Sequence, residues 1–513
     1  MIQDLIHVTA KSNGPKMAVI GYRDRLTYSQ LLHQSRRLAN ELRRLGAQSG
    51  DRVVVLMPNS AAAAVAVWAV FEVGCVLVPL HAASKLDALL PALKSAEPRW
   101  VISVAELSGL LRALLAETPS VARTLIVGTG TAQMESSWIA WTMTEDAADA
   151  IGPTSTHSVL PDSDSALAAL LFTSGSTGEP KGVMLTHANM QAALRAVLAY
   201  LPLRSDDVIY SPLPLSSSYG LYQLIMSVSL GATLVLDRSF SFPAQSLASI
   251  AAERVTVLAA VPTMYAWLAT TPLVEKHDLS PLRILTSAAA ALPIEHARRV
   301  RERLPNALLY VMYGQTECKR ISYLDPAHLD SHPGSVGRGI PYQDHAIVNE
   351  FGTAVPVGEV GELVVRGPHV MQGYWRAAAS TATKLRTREA NGGPWLFTDD
   401  LFRCDADGFL YYVGRRDDIL KIGGNKVSPS EIEEVLCQMP ELAEVAVVGM
   451  PDDAWGEAVC AHVVLKDGAQ CSSEDIIRFC MPRLRGFMVP KAVVITRSLP
   501  KTESGKVKRR ELR

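Results

Sequence analysis

Residues 167–182 read LAALLFTSGSTGEPKG. The apolar run Ala168–Phe172 predicts a buried strand, and the ten residues after it change character completely. Thr173, Ser174, Gly175, Ser176, Thr177, Gly178, Glu179, Pro180, Lys181 and Gly182 combine glycines, hydroxyls and one lysine. Glycines let the backbone come close to an anion, and successive N–H groups with hydroxyls can then solvate phosphate oxygens. The stretch is not a Walker A loop: Lys181 follows Pro180, and Gly182 stands where a Ser or Thr would hold magnesium. A plain surface loop is the competing reading. The density of Ser, Thr and Gly directly after a buried strand favours the phosphate reading.

Outward from this strand, short apolar runs alternate with stretches of helical period. Further strands are predicted at Trp100–Val104, Thr124–Val127, Thr233–Leu236, Val255–Ala259, Ile284–Thr286 and Leu308–Met312. Helices are predicted at Thr27–Leu45, Ala188–Ala199 and Ile294–Leu304, the first stopped by Gly46. This alternation predicts an α/β fold with largely parallel sheets. The alanine-rich run Ala61–Leu80 is interrupted by Glu72 and Gly74 and preceded by Asn59-Ser60, so it reads as a capped, buried helix leading into a strand. Past Glu359 the texture changes to short strands and turns, with Asp405-Ala406-Asp407-Gly408 as a hairpin turn. A separate unit follows, with helices predicted at Ser430–Cys437 and Ser473–Met481 and a basic tail.

The chain has 513 residues, more than one core usually supports, so at least two domains are expected. Lys+Arg (50) and Asp+Glu (51) nearly cancel, so no global field draws the chain to nucleic acid or an anionic membrane. Seven scattered cysteines without C-x-x-C spacing argue against a zinc site and point to reduced thiols and a cytoplasmic address. The N-terminus shows no secretory signal, and no membrane span is expected.

TSGSTGEPKG resembles the signature of the adenylate-forming superfamily, which includes acyl-CoA synthetases, aryl-CoA ligases, adenylation domains and luciferases. The likeness extends in order to the segment from Thr27 to Ser60, YGQTE (Tyr313–Glu317), TDD (Thr398–Asp400), GRRDDILKIGGNKVSPSEIE (Gly414–Glu433) and PKTESGKVKRREL (Pro500–Leu512). It spans nearly the whole chain. The resemblance implies a large multi-sheet N-terminal domain, residues 1–414, that binds AMP and the acyl group. A small mobile α+β C-terminal domain, residues 415–513, would follow. The implied activity is ATP-dependent conversion of a carboxylic acid to acyl-AMP with release of pyrophosphate, then transfer to the thiol of CoA.

Residue roles follow from the same resemblance. Thr173, Ser174, Gly175, Ser176, Thr177, Gly178 and Lys181 would hold the β- and γ-phosphates of ATP. Tyr313 would stack near adenine, Gly314 would admit the acyl group, Thr316 would touch the α-phosphate and Glu317 would help hold Mg²⁺. Asp400 would accept both ribose hydroxyls, with Arg415 beside it. The family usually has Thr-Gly-Asp there, so Asp399 leaves open which acid faces the sugar. Lys506 would bridge the substrate carboxylate and the α-phosphate, offsetting their repulsion. Lys508, Arg509 and Arg510 read as a solvated tail. Asp417 would be the hinge, and Lys421, Gly423 and Gly424 would line a channel for the incoming thiol.

For the acyl pocket the resemblance points to Ser217, Tyr219, Ala288 and Ala289. Serine at 217 supplies no countercharge for an α-ammonium, which predicts a non-amino acid substrate. The double charge of Lys319-Arg320 either meets a second polar group on the acid or caps a surface, and the surface is the expected reading. The acceptor is CoA or, alternatively, the phosphopantetheine of an external acyl carrier protein. A non-catalytic nucleotide-binding scaffold is the remote alternative.

Overall fold

β-Branched and leucine-rich runs build two large sheets, all but one edge strand of which (Gly373–Tyr374) precede Ile340, and the helices between them cover the sheet faces. The structure is a computed structural model describing residues 1–128, 135, 137–143, 165–174, 180–388, 393–452, 455–466, 468–501 and 507–512, without the side chains of residues 174 and 426. The first sheet has nine strands. Its centre is parallel, running Leu308–Tyr313, Ile284–Ser287, Val257–Ala260, Val208–Ser211, Thr233–Leu236 and Met17–Ile20, with antiparallel strands at both edges. The second has eight strands. Leu167–Ser174 joins Val76–Leu80, Arg52–Leu56, Trp100–Val104, Arg123–Val127 and Ile139–Trp141 in parallel. The expected α/β class is borne out, and parallel strands buried on both faces explain their unbroken apolar sequence.

The alanine-rich segment forms the helix Ala61–Val73, in which every residue but Ala62 is buried. Ser60 caps it by accepting from the Ala63 N–H at 3.1 Å, and Gly74 ends it at φ +80°. It packs against the amphipathic helix Tyr28–Arg44, which opens on a reciprocal capping box of Thr27 and Gln30. Its one buried acid, Glu72, is paired with His7. Among the described residues no helix is long and apolar enough to cross a membrane.

The change of texture starts earlier than Glu359. Asp344–Val348 already belongs to a five-stranded antiparallel sheet with Gly361–Arg366, Leu385–Arg386, Trp395–Cys404 and Leu410–Arg415. The Asp405–Gly408 turn joins the last two strands as expected. From Leu420 on, a fourth sheet of Leu420–Ile422, Asn425–Val427, Leu442–Asp452, Gly456–Leu465 and Ala492–Ile495 encloses its own core of Ile422, Leu436, Val447, Val463 and Ile476.

The basic tail is not uniformly solvated, which corrects the reading of Arg509. Its guanidinium donates to both carboxylate oxygens of Glu433 at 2.7 Å and is three-quarters buried. One guanidinium nitrogen, Nη2, sits between the two oxygens, and this pairing needs a carboxylate brought in from residue 433, which spacing along the tail cannot announce. Lys508, by contrast, makes an exposed ion pair with Glu511.

Candidate active site

Three sheets contribute to one cluster of polar side chains. The YGQTE segment leaves the C-terminal end of the parallel strand Leu308–Tyr313, where open α/β sheets place their ligands. It turns back sharply, with Ile321 N–H donating to the Tyr313 carbonyl at 2.9 Å. A Cβ on Gly314 would sit 2.5 Å from the Lys319 carbonyl oxygen and 2.7 Å from Arg320 Cα. Glycine is therefore required there by the loop's own backbone, whatever the acyl group does.

Asp400 is the centre of this cluster and is 4% exposed. Its Oδ2 accepts from the Tyr313 hydroxyl at 2.5 Å and from Gln315 Nε2 at 2.8 Å. Gln315 Nε2 also donates to the Thr398 carbonyl at 2.8 Å, tying the loop of the first sheet to the antiparallel third. Strand register sets Arg415 opposite Asp400, with Nε 3.3 Å from Oδ1. Oδ1 nevertheless has no hydrogen bond, which leaves a buried acceptor among ordered donors.

The backbone resolves which acid of TDD turns inward. Asp399 adopts φ +59°, the left-handed conformation for which glycine is the natural occupant and which aspartate tolerates. Its carboxylate turns outward to Lys384 and to Arg416, the latter at 2.7 Å. Asp400 alone faces the cluster.

Glu317 and Lys181 meet through a residue the sequence reading did not single out. The Tyr374 hydroxyl donates to Glu317 Oε1 at 2.7 Å, and Lys181 Nζ lies 5.5 Å from the centre of the same ring. Burial, then the Glu317 charge and the bond to it, push the Tyr374 phenol far above its ordinary value, so it stays a donor. The short strand Gly373–Tyr374 pairs with Pro180–Thr186, and that pairing delivers the ring. No motif marks Tyr374. Gln315 lay inside YGQTE and was legible as a polar residue of a binding loop.

The strands on either side of the phosphate segment pair antiparallel. Thr173 and Ser174 end the strand Leu167–Ser174, and Thr173 pairs with Lys181 across the register. Gly175, Ser176, Thr177 and Gly178 lie outside the described residues, as does Lys506. Thr316 is half-buried in the YGQTE turn. Asp417 is exposed in the short turn Arg416–Asp418, and Lys421 is exposed on the strand Leu420–Ile422. Gly423 and Gly424 form its two-residue hairpin turn at φ +53° and +83°, a geometry that needs glycine.

Around the expected acyl pocket, the Ser217 hydroxyl caps the helix Ser218–Leu230, accepting from the Gly220 N–H at 3.0 Å. The Tyr219 hydroxyl donates to the Thr286 carbonyl at 2.9 Å, and burial pushes its phenol up to about 12. Ala288 is buried, and Ala289 is held at φ +81°, a left-handed conformation costing an alanine about 1–2 kcal/mol. Lys319 and Arg320 do not cap a surface. They are 6% and 3% exposed, which overturns that reading, because the tight YGQTE turn carries both side chains inward.

The sequence model of the AMP-binding enzyme family matches residues 6–375, and that of the AMP-binding enzyme C-terminal domain matches residues 431–506. The chain belongs to the AMP-binding enzyme family. Feruloyl-CoA synthase of an Amycolatopsis species is 35% identical over 95% of this AMP-binding enzyme and 93% of its own length. A long-chain-fatty-acid–CoA ligase of Bacillus subtilis (strain 168) is 31% identical over 100% of this chain and 94% of its own. Among solved structures, the anthranilate CoA ligase AuaEII in complex with anthranoyl-AMP superposes with a TM-score of 0.89 at 26% identity, covering 100% of this chain and 96% of that one. The AMP-binding enzyme described here is an AMP-forming acid–thiol ligase. It activates a carboxylic acid with ATP to the acyl adenylate and passes the acyl group to the thiol of CoA.

Proposed function

We propose that the Tyr313–Gln315–Asp400–Arg415 cluster is the ribose site of this ligase, and that its acid carries no α-amino group. The buried Oδ1 of Asp400 carries the first part: it is ion-paired with Arg415 but accepts no hydrogen bond, and a ribose hydroxyl would supply one. The second rests on the acyl side, where Ser217 offers no countercharge to an α-ammonium and its hydroxyl caps the helix Ser218–Leu230. The named relatives act on feruloyl, long-chain fatty and anthranilate groups, so together they single out no one acid.

Chemically, a carboxylate oxygen attacks the α-phosphorus and pyrophosphate leaves with the electrons of the broken P–O bond. The thiolate sulfur then attacks the acyl carbon and AMP leaves. Lys506, by the family resemblance, stands between the two anions in the first step. Thr173, the Thr173–Lys181 segment and Thr316 would meet the phosphates. Glu317 fits Mg²⁺ bound with a nucleotide, since that ion takes one or two carboxylates and completes its shell with phosphates and water. The ion would supply charge neutralisation on the phosphates, and Tyr374 fixes the Glu317 carboxylate for it. Tyr374→Phe should therefore lower kcat by about 10-fold at limiting magnesium through loss of one hydrogen bond to a charged group. A magnesium titration indistinguishable from wild type would remove Tyr374 from the site.

We place the boundary between a 1–414 unit and a mobile 415–513 unit, supported by the separate core that starts at Leu420. Asp417 is the proposed hinge, with Lys421, Gly423 and Gly424 on the thiol path and Ser217, Tyr219, Ala288 and Ala289 around the acyl group. The seven free cysteines support a cytoplasmic address. Labelled pyrophosphate should exchange into ATP only when an acid is present, and free CoA should yield thioester faster than a holo-carrier protein. Exchange with no acid of a broad panel would favour the scaffold reading, and preference for the carrier protein would reassign the acceptor.

A further inference from the structure

We propose that the acid bears a second anionic group, a carboxylate held by Lys319 and Arg320 at the inner end of the acyl pocket; this rests on the acid–thiol ligase reading above. Both residues line the narrow cavity that also meets Tyr219, Thr286 and Met312, and they lie two and three positions beyond Glu317. The cavity is thus walled by two basic side chains on the segment that directly follows the YGQTE motif.

Neither cation has a carboxylate to answer it among the described residues. Lys319 Nζ donates to the Ser218 carbonyl at 3.0 Å and lies 4.6 and 5.2 Å from the ring centres of Tyr222 and Tyr219. The Arg320 guanidinium carbon lies 5.6 Å from the Tyr219 ring, and its Nε is buried without a hydrogen-bond partner. Two adjacent, buried basic groups with no carboxylate partner among the described residues are a costly way to fill apolar space, and well-packed hydrophobic side chains would do it at lower cost.

The backbone is also held for the purpose. Lys319 sits at φ +63°, and Gly314 must lack a Cβ for the 319–320 segment to lie where it does. Strain concentrated at a turn that aims two long cationic side chains into a cavity is the pattern of a binding site. A neutral hydroxyl or amide tail would supply a hydrogen bond but no countercharge. A carboxylate supplies both, and Arg320 Nε is a donor placed to meet it.

The test is acid-dependent pyrophosphate exchange by the purified full chain, using a length series of dicarboxylic acids, each paired with its monomethyl ester. The best diacid should exceed its half-ester by on the order of 100-fold in kcat/KM, because the ester leaves buried donors unanswered. Arg320→Met and Lys319→Met should each shrink that ratio by about 10-fold. Arg320→Lys, which keeps the charge, should retain part of the preference. Equal use of diacids and half-esters by the wild-type protein overturns the inference and leaves the ligase intact, and it needs no variant to fold. Exchange with no acid of any class overturns the ligase reading, and this inference falls with it.

Discussion

Asp400→Asn should weaken ATP binding about 100-fold and lower the melting temperature modestly, because it removes hydrogen bonds to a charged acceptor and breaks a buried ion pair without changing shape. Oδ2 already accepts from Tyr313 and Gln315, so an asparagine would turn its carbonyl toward those donors. Its amide nitrogen would then replace Oδ1, presenting a donor where ribose hydroxyls must themselves donate, and facing Arg415 as well. Calorimetric titration with ATP, beside a thermal melt, measures both halves of this result. Asp399→Asn is the control: that side chain reaches Lys384 and Arg416 outside the cluster and should leave ATP affinity within about threefold of wild type. Affinities that fall equally in the two variants would break the assignment of Asp400 to the sugar.

Lys506→Ala should cost adenylate formation about 10²–10³-fold, the usual loss when one preorganised group stabilising developing charge is removed. Thioester formation from supplied acyl-AMP should be nearly unaffected, since the α-phosphate and carboxylate are already joined in that substrate. Single-turnover measurements of the two half-reactions separate the outcomes. Equal loss in both would show that Lys506 is not specific to the first step, and the two-pose scheme hinged at Asp417 would fall with it.

These two expectations draw on different sources. Lys506 is named by a short ordered motif, whereas the Asp400 argument could not be made until the strand Trp395–Cys404 was seen to turn at φ +59°. Two consecutive aspartates are chemically alike on the page, and one backbone dihedral decides which is buried. Arg509 and the Lys319–Arg320 pair teach the same lesson with opposite charge. A run of basic residues ordinarily marks a solvated face, and here three of them are inside because distant segments or a tight turn carry them there. Tyr374 was invisible for a further reason: its role is created by strand pairing with Pro180–Thr186, and nothing in its neighbours' chemistry marks it.

Local chemistry alone determined most of the strands, the capped and buried alanine helix and the α/β class, because each depends on residues within a few positions of one another, and the ordered motifs pointed to the reaction through their resemblance to a known family. The tertiary structure decided which groups of those motifs work together. Tyr313 and Asp400 stand 87 positions apart, and Glu317 and Tyr374 stand 57 apart. Contacts at such separations exist only after whole sheets have packed, so the kind of chemistry is legible in one dimension and its geometry only in three.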